Sequence, residues 1–320
     1  MPETRKTILV TGGLGFIGSR FIKYVREVTN WKVICYDAMT YAADINRVNP
    51  DTIEKSLGNI IIGDICGDIT QHIDVDKVDY LVNFAAESHV DNSIKDGRPF
   101  LRSNVEGVLN LLETFKNKNL IKFVQISTDE VYGDMNDIRG DSASESFNIR
   151  PSSYYAVTKA AADLLVQSAS RTFGIPYLIT RSCNNFGPNQ HEEKFLPTVF
   201  NSIKEGKPVP IYGDGKQVRE WIHTDDNVHF IFTLMIGENL TNEVVNIGSG
   251  FHYTNLEIIE MTSKYLGKEV KYEHVKDRLG HDRRYSLDCS KLHEYMLSSD
   301  WCTTLETFLQ EECDAANNRK

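Results

Sequence analysis

The sequence has no long apolar run and little positive charge. No stretch of its 320 residues approaches the roughly 18 consecutive apolar residues that cross a bilayer, and the N-terminus reaches glycine too soon for a signal peptide. With 35 Lys and Arg against 45 Asp and Glu, the net charge of −10 argues against the broad basic surface that nucleic acids require. These absences predict a cytoplasmic protein that binds neither membranes nor nucleic acid.

Cysteine is scarce and has no obvious pairing. The six cysteines, which include no C-x-x-C pair, are Cys35, Cys66, Cys183, Cys289, Cys302 and Cys313. This spacing favours reduced thiols over a disulfide framework or a zinc knuckle. His89 and Asp91 lie in ESHVDNS, but no second histidine stands at ligand spacing, so we predict no metal site.

Apolar strand-like runs alternate with amphipathic helical patterns over the first half of the chain. The predicted strands cover residues 6–11, 32–37, 59–64, 79–85, 122–127 and 175–181, with helical periodicity over 18–28 and 104–117. Continuous apolar strands separated by helices predict an α/β fold with a doubly wound parallel sheet. Because the alternation ends near residue 180, we predict one domain over 1–180 and a smaller α/β lobe over 181–320, with strands that cross back into the first.

A glycine turn follows the first predicted strand. In TILVTGGLGFIGSRFI, Gly12, Gly15 and Gly18 fit G-x-x-G-x-x-G between a strand and a helix. Small residues there let the backbone approach a pyrophosphate, whose charge meets free N–H groups and the positive end of the helix dipole. Asp37 ends the next strand, where a carboxylate binds the adenosine ribose and repels a 2′-phosphate. The pattern predicts a Rossmann-type NAD site, with Asp64 near the adenine; a tight turn without a ligand is the alternative.

Tyr155 and Lys159 lie four residues apart in a predicted helix that follows Pro151. That spacing puts both on one face, with the ammonium near the phenol. The unperturbed pKa of tyrosine is about 10, and a cation together with a nicotinamide ring would favour a phenolate that takes a proton from a sugar hydroxyl. Two other Y-x-x-x-K patterns begin at Tyr212 and Tyr272, in a predicted turn and a predicted strand, where the side chains cannot cooperate.

Eight segments, spread nearly from end to end, are typical of one family. They are TGGLGFIGS, NFAAESHVDNSI, STDEVYGD, YYAVTKAAAD, NNFGPNQHEEKFLP, DGKQVREWIHTDD, NIGSG and DRLGHDRRYSLD. In these segments the chain resembles the nucleoside-diphosphate-glucose 4,6-dehydratases of the extended short-chain dehydrogenase/reductase superfamily. The resemblance implies a lyase that acts on dTDP-glucose or UDP-glucose with bound NAD. It also implies a homodimer packed through helices that include the one bearing Tyr155.

Two carboxylates follow the fifth predicted strand, in STDEVYG. By the resemblance, Glu130 takes the hydrogen from C5, Asp129 protonates the departing oxygen, and Thr128 hydrogen-bonds near O4. An ionised Glu130 in a poorly solvated cleft would raise the proton affinity of Asp129, which divides the pair into base and acid. The alternatives are a solvated turn, a 4-epimerase or decarboxylase of the same superfamily, and an NAD-binding sensor or scaffold without turnover.

The resemblance also implies two sets of binding residues. The cofactor set comprises Gly12, Gly15, Phe16, Ile17, Gly18, Asp37, Asp64, Ile65, Ala85, Ala86, Tyr155 and Lys159. The substrate set comprises Thr128, Asn184, Lys194, Arg219 and Arg278. An acidic protein must gather cations locally to bind a diphosphate, and the two arginines are expected to do so. Thr158, Cys183 and Phe186 depart from the family pattern without removing a chemical role.

Overall fold

The structure is a computed structural model that describes residues 5–48, 60–136, 142–295 and 303–318. Its largest unit is a seven-stranded parallel sheet in the order β10-β6-β5-β4-β1-β2-β3. These strands are β1 (Thr7–Thr11), β2 (Lys32–Asp37), β3 (Ile60–Ile62), β4 (Tyr80–Asn83), β5 (Lys122–Thr128), β6 (Tyr177–Ser182) and β10 (Glu243–Ile247). All six predicted strands are present, and the predicted Rossmann-type parallel sheet is confirmed.

Helices cover both faces of this sheet, which explains why its strands are apolar without alternation. In β1, Ile8 and Val10 pack in one hydrophobic core and Leu9 packs in the other. The helices are Phe16–Val28, Val90–Lys95, Arg98–Leu101, Gly107–Phe115, Tyr154–Phe173, Phe195–Glu205, Thr224–Ile236, Asn255–Leu266, Ser290–Tyr295 and Leu305–Asn318. A π-helical turn covers Arg102–Glu106, and short 3₁₀ turns cover Ile45–Arg47, Ile69–Gln71, Val75–Lys77 and Asp129–Tyr132.

The order of the strands places a ligand site at one edge of the sheet. From β1 the chain continues to β2 on one side, whereas β4 pairs with β1 on the other side. Parallel sheets bind ligands outside the carboxyl ends of their strands, at the point where the strand order reverses. The glycine turn and the acid pair follow strands of this sheet and Asp37 ends one, so they lie along the same edge.

Two small sheets contain the remaining strands. β7 (Asn184–Phe186) and β11 (His252–Thr254) flank β9 (Val218–His223), and β8 (Val209–Tyr212) pairs with β12 (Tyr272–Val275). Separate hydrophobic clusters form around Trp221 and around Val199. These elements follow residue 180, as the predicted lobe does.

The later part of the chain also returns to the first sheet. β10 pairs with β6 in parallel, from Glu243 opposite Leu178 to Ile247 opposite Ser182. The preceding helix Thr224–Ile236 lies against the helix Phe16–Val28, where Arg20 pairs with Asp225 through two hydrogen bonds. A crossing strand was predicted, whereas the division into two domains at residue 180 stays a prediction. Within the described ranges, no helix has both the length and the apolarity that crossing a bilayer needs.

Candidate active site

The glycine turn after β1 is tightly built. Gly12 has a φ of +68°, and a Cβ there would lie 2.5 Å from the backbone nitrogen of Ala85. A Cβ on Gly18 would lie 2.3 Å from the carbonyl oxygen of Gly12. The N-cap residue of the following helix is Gly15, and no side chain caps its first turn. The turn therefore leaves free N–H groups and space that only glycine provides, as a pyrophosphate requires.

Other predicted cofactor residues surround this turn. Phe16 and Ile17 begin the helix that follows it, and Ala85 and Ala86 follow β4. The close approach of Ala85 to Gly12 joins the ends of the two central strands. This arrangement fits NAD at the reversal point of the sheet.

Asp37 is buried at the end of β2 and also fixes the glycine turn. Its Oδ2 accepts the N–H of Leu14 at 2.9 Å, and its Oδ1 accepts the N–H of Met39 at 2.9 Å. Each carboxylate oxygen has a further lone pair, so the predicted ribose hydrogen bonds are compatible with both contacts. The role in holding the turn was not predicted from the sequence.

Asp64, two residues after β3, is paired with a side chain of the protein. It accepts hydrogen bonds from Nη2 of Arg102 at 2.8 Å and from the N–H of Cys66 at 2.8 Å. Burial alone would raise the pKa of Asp64, but these hydrogen bonds outweigh it and lower the pKa. Ile65 is buried and would contact a Cβ placed on Gly107. Contact of Asp64 with adenine stays a prediction.

The two adjacent carboxylates follow β5 in a 3₁₀ turn that Thr128 caps. The Thr128 hydroxyl accepts the N–H of Glu130 at 3.3 Å and donates to Oδ1 of Asp129 at 3.2 Å. Asp129 is only 3% exposed, and its Oδ2 has no hydrogen-bond partner in the described part of the chain. A solvated surface turn, the alternative considered for STDEVYG, does not fit this burial.

Different charges surround the two carboxylates. Burial raises the pKa of Asp129 well above its ordinary value, and the charges of Glu130 and Glu220 raise it further. Burial also raises the pKa of Glu130, but three cations act in the opposite direction. These cations are Arg219, Lys194 and Arg278. The surroundings therefore raise the pKa of Asp129 further above its ordinary value than that of Glu130, in the direction that the acid and base roles require.

Tyr155 lies in the first turn of a helix whose N-cap is Ser153. Burial raises the pKa of the phenol, the charge of Glu130 raises it further, and a hydrogen bond with Thr128 acts in the opposite direction. Tyr155, Thr128 and the two carboxylates thus act on one another within a single site. The predicted chemistry requires these groups to lie together in one site.

Burial has a larger effect on the pKa of Tyr155 than the charge of Lys159 has. The buried Nζ of Lys159 donates to the carbonyl oxygen of Ile126 in β5. Burial lowers the pKa of Lys159 to about 8, although Asp163 one turn later acts in the opposite direction. In the protein chain alone, burial outweighs the effect of the Lys159 charge on the pKa of Tyr155, so Tyr155 remains a phenol. A phenolate would therefore depend on the positive charge of a bound nicotinamide.

Asn104 is a site residue that the sequence analysis missed. Its Oδ1 accepts the N–H of Glu87 at 2.8 Å, and its Nδ2 donates to the carbonyl oxygen of Glu87 at 3.0 Å and to Oγ1 of Thr158 at 3.0 Å. Asn104 thereby joins the loop after β4 to the helix of Tyr155. It lies in the π-helical turn Arg102–Glu106, a distortion of the kind often found at functional sites.

Both predicted diphosphate-binding arginines stack on aromatic rings. The guanidinium of Arg219 lies 4.2 Å from the ring centre of Tyr285, and that of Arg278 lies 5.2 Å from the ring centre of Tyr212. Nη2 of Arg278 also donates to Asp91 at 3.0 Å. These contacts orient the guanidinium groups, and they explain Asp91 as an ion-pair partner.

Lys194 and Asn184 come from the segment that follows β6. Nζ of Lys194 donates to the carbonyl oxygen of Ser88 at 3.2 Å, and burial lowers the pKa of this lysine. Asn184 begins β7 directly after Cys183, which is buried. Since Lys194 acts on the pKa of Glu130, it lies close to the acid pair.

The described residues contain no group of His, Cys, Asp or Glu suited to a metal ion. Cys35, Cys66, Cys183, Cys289 and Cys313 are free thiols. Cys302 lies outside the described residues.

Known proteins share this sequence pattern along most of its length. The model of the NAD dependent epimerase/dehydratase family matches residues 8–248. The chain belongs to this family. The low-salt glycan biosynthesis protein Agl12 of Haloferax volcanii is 42% identical over 299 residues, which cover 92% of this chain and 94% of that protein. The dTDP-glucose 4,6-dehydratase of Haemophilus influenzae is 40% identical over 314 residues, which cover 89% and 90%.

A solved structure has a fold similar to that of this chain. DesIV, a dTDP-glucose 4,6-dehydratase from Streptomyces venezuelae with NAD bound, has a TM-score of 0.89 to this chain at 36% identity. The alignment covers 98% of this chain and 97% of DesIV. Family membership and the glycine turn together assign NAD as the cofactor.

Proposed function

We propose that this chain converts dTDP-glucose or UDP-glucose into the 4-keto-6-deoxy sugar nucleotide. The observation that carries this proposal is the buried Asp129 next to the half-buried Glu130, with both carboxylates acting on Tyr155. A 4-epimerase has no use for an acid and a base at C5 and C6, and a decarboxylase expels CO2 rather than water. A sensor or scaffold without turnover would not need these groups together with Lys159.

NAD held at the glycine turn that contains Gly12, Gly15 and Gly18 would supply a reversible hydride acceptor for C4 and C6, and the residues of the protein move the protons. Tyr155, as a phenolate, takes the proton of the C4 hydroxyl. Glu130 takes the proton from C5, which the C4 ketone has made acidic, while Asp129 protonates the C6 oxygen and water leaves. Glu130 then returns a proton to C5, which gives the C6 methyl group and the C4 ketone.

The cations of the cleft would bind the diphosphate of the sugar nucleotide. Arg219 and Arg278 are oriented by aromatic rings, so they can hold a diphosphate with little loss of side-chain freedom. Lys194 and Asn184 are assigned to the same substrate. The relatives from Haemophilus influenzae and Streptomyces venezuelae are named for dTDP-glucose, which favours the thymidine nucleotide.

The proposal includes a homodimer in the cytoplasm. The helix Tyr154–Phe173 exposes Tyr154, Val157 and Leu164 on one stripe, and exposed Leu109 lies on the neighbouring helix. A second copy of the chain would cover this apolar face. The free thiols among the described cysteines suit a reducing compartment.

Incubation with each nucleotide glucose in D2O tests the reaction. We expect a 4-keto product that carries a C6 methyl group and deuterium at C5, without net formation of NADH. Because the thymine methyl group contributes about 1 kcal/mol when buried, dTDP-glucose should have a kcat/KM about fivefold above that of UDP-glucose. A product that keeps its C6 hydroxyl would instead indicate epimerisation.

A further inference from the structure

A buried polar network joins the turn of the acid pair to the helix of Tyr155. Its centre is Arg181 in β6, whose side chain is 2% exposed. Nε of Arg181 donates to Oδ2 of Asp163 at 3.0 Å, and Nη1 donates to the hydroxyl oxygen of Tyr132 at 2.9 Å. One planar guanidinium group therefore has two fixed partners, on two different elements of the site.

Each partner of Arg181 belongs to one half of the proposed catalytic machinery. Asp163 lies two turns after Tyr155 in the same helix and on the same broad helical face. Tyr132 ends the 3₁₀ turn that contains the two carboxylates of the acid pair. Arg181 therefore ties the position of the acid pair to the position of Tyr155.

The hydroxyl group of Tyr132 is held from two sides. It accepts the hydrogen bond from Arg181 and donates its own proton to Oδ1 of Asn246 at 2.7 Å. Nδ2 of Asn246 donates to the carbonyl oxygens of Ala143 at 2.8 Å and Asp288 at 3.0 Å, which fixes the orientation of the amide. The guanidinium carbon of Arg181 also lies 5.0 Å from the centre of the buried Tyr132 ring. These contacts leave Tyr132 little freedom to move.

The carboxylates of the acid pair need such support because their oxygens must stay available to the substrate. Oδ1 of Asp129 has the hydrogen bond with Thr128, whereas Oδ2 has no partner among the described residues. A group that exchanges a proton with a substrate must lie within hydrogen-bond reach of it, and a displacement of about 1 Å can slow a reaction about 100-fold. The backbone turn must therefore supply the rest of the positioning.

We propose that Arg181 and Tyr132 are positioning residues for the elimination step. Arg181, anchored on Asp163 in the helix of Tyr155, holds Tyr132 and with it the 3₁₀ turn. The acid pair then meets C5 and C6 of the same sugar whose C4 hydroxyl group meets Tyr155. Both residues act through the acid pair and neither exchanges a proton with the substrate. This inference rests on the proposed function and adds two residues to it.

The variant Tyr132→Phe removes only the hydroxyl group and keeps the ring. In single turnovers with enzyme in excess, NADH should form at the wild-type rate, because Tyr155 and the NAD site are unchanged. NADH should then disappear, and the 4-keto-6-deoxy product should appear, more slowly by on the order of 10- to 100-fold. The dissociation constant of the sugar nucleotide should equal that of the wild type, since Y132F leaves Arg219 and Arg278 in place.

Tyr24→Phe is the matched control. The hydroxyl group of Tyr24 is hydrogen-bonded to Nδ1 of His229 at 2.6 Å, so Y24F also removes a hydrogen bond between two elements but leaves the acid pair untouched. It should lower the melting temperature as Y132F does and leave both rates unchanged. Arg181→Lys keeps a cation opposite Asp163 but lacks the fork that reaches both partners, so it should slow the same step as Y132F.

If Y132F slows NADH formation by the same factor as NADH loss, or slows neither step, the positioning role is overturned. If Y132F does not fold, R181K supplies the same comparison. Loss of folding in both variants would also contradict the inference, because the network would then support the whole fold and not one step of the reaction. A wild-type protein that forms no 4-keto-6-deoxy product contradicts the proposed function instead.

Discussion

The roles of Asp129 and Glu130 are set by their surroundings and not by their residue types. Both side chains are carboxylic acids in adjacent positions, and burial raises the pKa of each. Arg219 favours the ionised form of both groups, but Glu130 and Glu220 add negative charge around Asp129, whereas Lys194 and Arg278 favour the ionised form of Glu130. Each pKa unit of difference corresponds to about 1.4 kcal/mol, so a few charges suffice to give one group a proton and the other none.

Replacing Glu130 with Gln keeps the size of the side chain and removes the base. We expect elimination to slow by on the order of 10² to 10⁴, while oxidation at C4 continues and NADH accumulates on the enzyme. NADH absorbance and the yield of 4-keto-6-deoxy product measure the two steps separately. Glu113→Gln, on the exposed surface, should leave both unchanged. Full turnover by E130Q would contradict the role of Glu130 as the base.

Residues of the site that lie in one short segment could be predicted from the sequence, whereas contacts between distant segments could not. The reactive residues of STDEVYG lie within one short segment, and so do those of the Tyr155 helix. The pair of Arg278 with Asp91 joins residues 187 positions apart, and no local pattern indicates it. No local pattern indicates the role of Asn104 either, because its partners Glu87 and Thr158 lie on other elements.

At the scale of secondary structure, β5 and the helix Thr224–Ile236 are joined by a buried lysine. Lys122 is 3% exposed, and its Nζ donates to the carbonyl oxygens of Met235 at 2.9 Å and Gly237 at 3.0 Å. Carbonyl groups at the end of a helix attract a cation. This contact ties a helix from the later part of the chain to the central sheet.

The unfolding free energy should depend on Lys122 at alkaline pH. Burial lowers the pKa of Lys122 from 10.5 to about 8. Because the unfolded chain binds this proton more tightly, stability should rise with pH between these two values, by about 3 kcal/mol in total for this group. Lys159, whose pKa is also lowered to about 8, should add a rise of the same sign.

Urea denaturation at several pH values across this range measures the effect. Lys122→Met should remove about half of the rise in stability that the two buried lysines produce together. The control Lys23→Met changes an exposed lysine and should leave the slope unchanged. An unchanged slope in the Lys122 variant would show that its ammonium keeps an ordinary pKa in the folded protein.

The elements themselves were predictable to different degrees. Of the six predicted strands, β1, β4, β5 and β6 are buried on both faces, which makes their sequences continuously apolar and easy to recognise. The position of β10 beside β6 depends on tertiary pairing, so the sequence indicated a returning strand without its partner. The helical pattern over 104–117 gave no sign of the π-helical turn at its start, since that distortion follows from side-chain contacts across the fold.

At the scale of the whole molecule, one apolar face is available for a second copy of the chain. Tyr154 is 62% exposed, Val157 45% and Leu164 54%, at positions three and seven residues apart that share one helical face. Exposure of these apolar side chains to water is unfavourable in a monomer. An interface formed by two helices from each copy would bury them.

Leu164→Lys should weaken the proposed dimer. An unpaired charge in a buried interface costs about 3 kcal/mol or more, so the dissociation constant should rise on the order of 100-fold. Sedimentation equilibrium over a range of protein concentrations measures this change. Ile236→Lys alters an exposed apolar residue on another helix and serves as the matched control. A wild-type chain that sediments as a monomer at all concentrations would contradict the dimer.

The return of β10 to the first sheet limits how this enzyme can be rebuilt. A fragment that stops near residue 180 would leave β6 as an open edge, with its hydrogen-bonding groups offered to other chains. Substrate preference therefore cannot be exchanged between relatives by joining two halves at a single junction. A chimera must graft the segments before and after Thr224–Ile247 separately and keep that stretch from the parent that supplies the sheet.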